Sequence, residues 1–129
     1  MRLLATTLFL IVGVVNLLPV SGVLSESRLR ALYGVVLEDP NLLILMRHRA
    51  ALFGIVGVLL VASAFHGPLR PLALTAGLIS MLSFVLVAHL VGDYNAELRG
   101  IMVIDLVASA LLVGAGLITY LEHARRVAA

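Results

Sequence analysis

The chain has 129 residues, 62% of them hydrophobic and only 12% charged, with a mean hydropathy of +1.16. A soluble domain is typically about 25% charged, so there are too few polar side chains here to coat a water-borne globule, and the chain is expected in a bilayer. Nine basic against seven acidic residues give a net charge of +2; all nine are arginines set at the edges of apolar runs, not on one face, which argues against nucleic acid.

The first apolar run, 3–24, carries no formal charge over 22 residues, enough for one helical crossing of a hydrocarbon core. Arg2 ahead of it and a small-residue stretch near Gly22 resemble a signal peptide, but the run exceeds the usual h-region of about 7–15 residues, so a retained span is expected. Asn16 and Pro19 are its only irregularities. The segment from Ser25 to Glu38 mixes Arg28, Arg30 and Glu26 with Leu29, Leu32, Tyr33 and Val36; it is too polar to span and too apolar for a plain loop, and reads as a short helix lying in the interface.

Asp39-Pro40 is an N-cap followed by a proline in the first turn, a helix start. The second span is predicted over about 41–65. Its charge-free part, 50–65, is 16 residues, about 24 Å long at the helical rise. That is short of a hydrocarbon core of about 30 Å, so Arg47, His48 and Arg49 are expected at its margin. A Gly/Pro turn at 66–71 leads into a third span over about 71–91. The polar stretch GDYNAELRG then leads into a fourth over about 100–121 with Asp105 in its early turns. The fold class expected is therefore all-α: an integral membrane four-helix bundle, one domain over 1–129, with an interfacial helix between spans one and two.

Four spans bring the start of helix two, the start of helix four, the end of helix three and the end of helix one to the same membrane side. Arg47, His48, Arg49, His89, Asp93 and Asp105 converge there, with Asn16 nearby, and form the candidate ligand-binding site. An arginine or aspartate at mid-membrane costs about 2.5–3.5 kcal/mol, which an Arg–carboxylate pair would lower. Residues 47 and 49 lie about 200° apart around a helix, so one is expected to face Asp105 and the other lipid phosphate. His89 and Asp93, spaced i,i+4, are expected to share a helix face. With His48 as the only further donor nearby, they fall short of a dependable metal site, and neither metal nor cofactor is expected. His66 and His123 belong to the opposite side and read as surface residues. Tyr33, Tyr94 and Tyr120 stand near predicted helix ends, where such rings favour the headgroup level. Small residues at three- and four-residue spacings, including Gly54, Gly57, Gly77, Gly114 and Gly116, suit close helix packing.

The absence of cysteine excludes disulfides, thiolate catalysis and Cys-ligated metals. Phosphate-loop, dinucleotide-binding, nucleophile-elbow and zinc-protease motifs are also missing from the sequence. The terminal side carries Arg2, Arg70, Arg125 and Arg126, the other Arg28, Arg30 and Arg99, with Arg47 and Arg49 as candidates to join them. Most acidic residues fall on the second side, and the termini are expected in the cytoplasm of a bacterial inner membrane.

The stretches LYGVVLEDPNLLILMRHRAALFGIVG (32–57) and GDYNAELRGIMVIDLVA (92–108) resemble a family of small bacterial four-helix membrane proteins to which no chemistry is attached. The likeness runs over nearly the whole chain. Members are sometimes labelled phosphopantetheine adenylyltransferases; that soluble enzyme uses an H-x-G-H element on an α/β fold, and this sequence has neither. The architecture is more loosely similar to DoxX-like proteins.

These readings converge on a small binding or accessory membrane protein that holds an amphipathic or anionic lipid-like molecule, with Arg47 or Arg49 on the anion and Asp105 orienting it. Membrane lipids are the expected partners, with a second copy or another membrane protein as further options. Two alternatives stand beside it. One is a small proton-coupled dimeric transporter using Asp105. The other is a lipid- or isoprenoid-modifying enzyme with His48 or His89 as acid/base.

Overall fold

The computed structural model describes residues 2–128, and every regular element among them is helical. Helix α1 (Arg2–Leu17) passes through a 3-10 turn at Leu18–Val20 into α2 (Ser21–Leu24). Helix α3 (Glu26–Tyr33) is short, and α4 (Pro40–Phe65) is the second long helix. A 3-10 turn at Gly67–Leu69 leads to α5 (Arg70–Val91), and α6 (Ala96–Val127) completes the chain. Four segments, Arg2–Leu24, Pro40–Phe65, Gly67–Val91 and Ala96–Val127, are long and apolar enough to cross a membrane, the architecture of an integral membrane bundle.

The predicted spans agree with these helices closely except in the fourth, which starts four residues earlier and ends six residues later than expected. Asn95 explains the early start: its side chain accepts from the Leu98 N–H at 2.8 Å and caps the helix. At the start of α4 the Asp39 carboxylate accepts from the Asn41 N–H at 2.9 Å, with Pro40 in the first turn. Pro19 has no N–H to give, and the first span tightens into its 3-10 turn there without ending.

The long helices form a closed ring, with α1 beside α4, α4 beside α5, α5 beside α6, and α6 beside α1. The core inside the ring contains Phe9, Val12, Leu60, Ala64, Ala73, Met81, Ala108, Leu112 and Ala115. Large aliphatic residues such as Ile55, Ile79, Leu86 and Leu117 face outward. Helices that are apolar on the outer face as well as toward the core are those whose surroundings are lipid. Helices α1 and α4 approach closely, where a Cβ on Gly13 would stand 2.7 Å from Val61 Cγ2 and one on Gly57 2.8 Å from Leu17 Cδ2.

A second, smaller core of Leu29, Tyr33 and Leu37 joins α3 and the extended chain after it to the first turns of α4 and α6, through Leu43, Met46, Leu98 and Ile101. The expected interfacial helix is thus shorter than the segment 25–38 and covers one end of the bundle with two buried side chains, Leu29 and Tyr33. Ser25 caps it, and Gly34, at φ 60°, ends it with an N–H bond to Arg30 O of 2.8 Å.

Candidate functional site

Beneath α3 polar residues of three long helices, α1, α4 and α6, come together. Arg49 leaves the third turn of α4 half-buried, and its guanidinium carbon lies over three aromatic rings: Tyr33 at 5.0 Å, Phe53 at 5.1 Å and Phe84 at 4.5 Å. Those rings come from α3, α4 and α5, so the cation is held by three elements. Asp105, the tenth residue of α6, is buried. Asn16, at the end of α1, is buried as well and donates to Val12 O at 2.9 Å.

Among the described residues the only ion pair is Arg30–Glu26, at 2.8 Å on the surface of α3. The Arg–carboxylate contact expected between α4 and α6 is therefore not made. Three cation–π contacts at roughly 0.5–2 kcal/mol each match the roughly 2.5–3.5 kcal/mol cost of a membrane-embedded arginine. The rings can therefore hold Arg49 without direct ion pairing. Its Nη2, Asp105 Oδ2, Asn16 Oδ1 and Ser109 Oγ are buried polar atoms that make no hydrogen bond.

Arg49 and Asp105 line one small cavity of about 90 Å3 with Asn16, Tyr33 and Phe53. Arg49 also lines two larger grooves between α4 and α5. One, of about 260 Å3, lies toward Tyr94 and Leu98; the other, of about 280 Å3, runs along Leu52, Val56, Ser80 and Ser83. The guanidinium thus stands between the bundle interior and grooves on the bundle's outer surface. Burial pushes the Tyr33 phenol above its ordinary range; Arg49 opposes this and Asp105 adds to it, so both charges are felt at that ring.

The six residues expected at the site divide. Arg49 and Asp105 share a cavity, whereas Arg47, His48, His89 and Asp93 are exposed. Arg47 is thus the arginine turned outward. His89 and Asp93 do not share a helix face, because α5 ends at Val91 and Asp93 adopts a left-handed conformation with φ 47°. Among the described residues no group of three or more His, Asp or Glu could hold a metal. Tyr33, read as a helix-end ring, is 2% exposed and faces the arginine. Phe53 and Phe84 were not foreseen, because an aromatic residue in an apolar run carries no sign that it faces a charge.

Arg70 is the other departure from expectation. Read as part of a Gly/Pro turn on the terminal side, it is buried at the opposite end of the bundle. Its Nε donates to Ser63 O at 3.3 Å, Nη1 to Thr119 Oγ1 at 3.3 Å, and Nη2 to Thr6 Oγ1 at 3.0 Å and Ala64 O at 3.3 Å. The two carbonyls belong to the last turn of α4, where backbone acceptors lack helical partners. One side chain on α5 therefore ties together all four long helices.

No family model, curated protein or solved structure matches this chain. The functional reading rests on the geometry of its own residues.

Proposed function

We propose that the protein binds a lipid-like amphiphile whose head presents an anionic oxygen to Arg49, with Asp105 as the internal counter-charge that orients the guanidinium. The observation that carries this reading is the aromatic-boxed Arg49, which has no carboxylate in contact and lines grooves on the bundle's outer surface. A charge-assisted bond from its guanidinium to an oxyanion is stronger than one to a neutral acceptor, and the groove beside Leu52 and Val56 suits an apolar tail. The sequence resemblance to small bacterial four-helix membrane proteins agrees with a place in a bacterial inner membrane, and we adopt cytoplasmic termini as part of the same proposal.

Native mass spectrometry of the protein in mild detergent tests it. The wild type and Arg47→Ala are expected to carry one adduct more than Arg49→Ala, which still melts cooperatively. Equal numbers of adducts on the wild type and on Arg49→Ala, or a wild type that carries none when purified from its own membrane, sink the reading. One observation favours a second reading: Asp105 is buried on α6 with Oδ2 unbonded, as a proton-coupled dimeric transporter would require of its carboxylate. Uptake into vesicles driven by a pH gradient and abolished by Asp105→Asn supports that reading, and a monomer without transport ends it.

A further inference from the structure

The end of the bundle built around Arg70 is distinct from the Arg49 site and carries its own ligand chemistry. Arg70 is 7% exposed, and no carboxylate pairs with it among the described residues. Its four hydrogen bonds all go to neutral oxygens, and Nη1, with two hydrogens and one bond, keeps a donor in hand. This buried guanidinium, bonded to neutral oxygens and lying 5.5 Å over the Phe9 ring, has no opposite charge in contact. Arg70 lines a cavity of about 440 Å3 that Arg2, Arg126 and His123 also line, with Glu122 as the single acid. Three arginines against one glutamate leave this cavity strongly cationic.

A second cavity, of about 420 Å3, opens beside the first and shares Gly67, Arg70, Thr119 and His123 with it. Its remaining walls are Phe9, Pro71, Leu74, Gly116 and Tyr120, between α5 and α6. Helices α5 and α6 close at its inner edge, where a Cβ on Gly116 would stand 2.8 Å from Leu74 Cδ2. The two spaces form one path, cationic at the bundle end and apolar along the helices.

We propose that this path binds an anionic phospholipid, the phosphate headgroup lying among Arg2, Arg70, Arg126 and His123 and an acyl chain along the α5–α6 groove. Arginine suits phosphate because its fork of donors matches the oxyanion geometry. The occupant is a lipid and not a soluble anion because the charged cavity continues into an apolar one. It is anionic and not zwitterionic because a choline group would add a cation to a cavity that already has three.

The test uses the full chain in mild detergent, titrated with phosphatidylglycerol, phosphatidylcholine and inorganic phosphate, read by native mass spectrometry and by thermal unfolding. Phosphatidylglycerol is expected to bind and raise the melting temperature, while phosphatidylcholine at equal concentration does neither. Arg2→Gln and Arg126→Gln leave the Arg70 bonds in place and are each expected to weaken binding about fivefold, the worth of one arginine near an anionic headgroup. Arg125→Gln, outside the cavity lining, is expected to leave it unchanged. Equal binding of the two lipids, or an unchanged affinity in the Arg2→Gln/Arg126→Gln double variant, overturns the proposal. So does a thermal shift from inorganic phosphate as large as that from the lipid, which would make the ligand a soluble anion. Phosphatidylglycerol binding that survives in the double variant but disappears in Arg49→Ala would locate the lipid at the other end of the bundle.

Discussion

Two positions apart on α4, Arg47 and Arg49 have opposite surroundings, exposed for the first and three aromatic rings for the second. Part of this division was legible in the sequence, because two arginines about 200° apart on a helix cannot both face inward. The partner was not legible. The cation meets π-faces where a carboxylate was expected, and nothing in an apolar run marks which phenylalanine will face a charge. The contacts predict a measurable coupling. In a double-mutant cycle of Arg49→Met with Phe84→Leu, unfolding in detergent is expected to give an interaction energy of about 1 kcal/mol. The same cycle with Arg47→Met is expected to give essentially none. Arg70 was illegible for a different reason: it stands in a Gly/Pro turn, and two of its acceptors, Thr6 and Thr119, lie 64 and 49 residues away.

Each long helix announced itself by length and apolarity, and the Asp39-Pro40 start was readable from residue type alone. The start of α6 was missed because Asn95 sits inside a polar stretch that reads as loop. Asn95 also does more than cap, since its Nδ2 donates to Tyr33 O at 2.9 Å and Gly34 O at 3.3 Å and so fastens the end of α3 to the start of α6. Asn95→Ala is expected to cost about 1–2 kcal/mol, a cap plus a part-buried acceptor at Tyr33 O left unpaired. Asn95→Asp keeps the cap and loses the fastening; faster hydrogen exchange confined to 26–38 would separate the two effects. Helix packing gives a second contrast. Gly57→Ala drives a methyl into Leu17 and toward Gly13 O, an overpacking expected to cost about 1–3 kcal/mol. Gly114→Ala meets nothing within 4 Å and is expected to be neutral or to stabilise by up to about 1 kcal/mol, both read from melting in detergent.

At the scale of the molecule, the four-helix ring has a polar group at each end, and both are built from side chains on several helices. The membrane class followed from composition, whereas the ring order and the pairing at the two ends depended on tertiary contacts that periodicity does not encode. Orientation can be measured directly, because a chain without cysteine accepts a unique one. With cytoplasmic termini, an impermeant thiol reagent on intact cells is expected to label Ser27→Cys and spare Ala128→Cys. The reverse pattern inverts the assignment without disturbing the fold. Arg70→Met, which removes all four bonds at the other end, is expected to destabilise the bundle by about 2–4 kcal/mol. Those bonds also set an order of events during synthesis. Arg70 leads the third span into the bilayer when Thr6, Ser63 and Ala64 have already been made, but Thr119 is still unsynthesised. A nascent chain stalled before the fourth span therefore presents a guanidinium with its seal incomplete, and the ribosome must finish the last helix before that end of the protein can close.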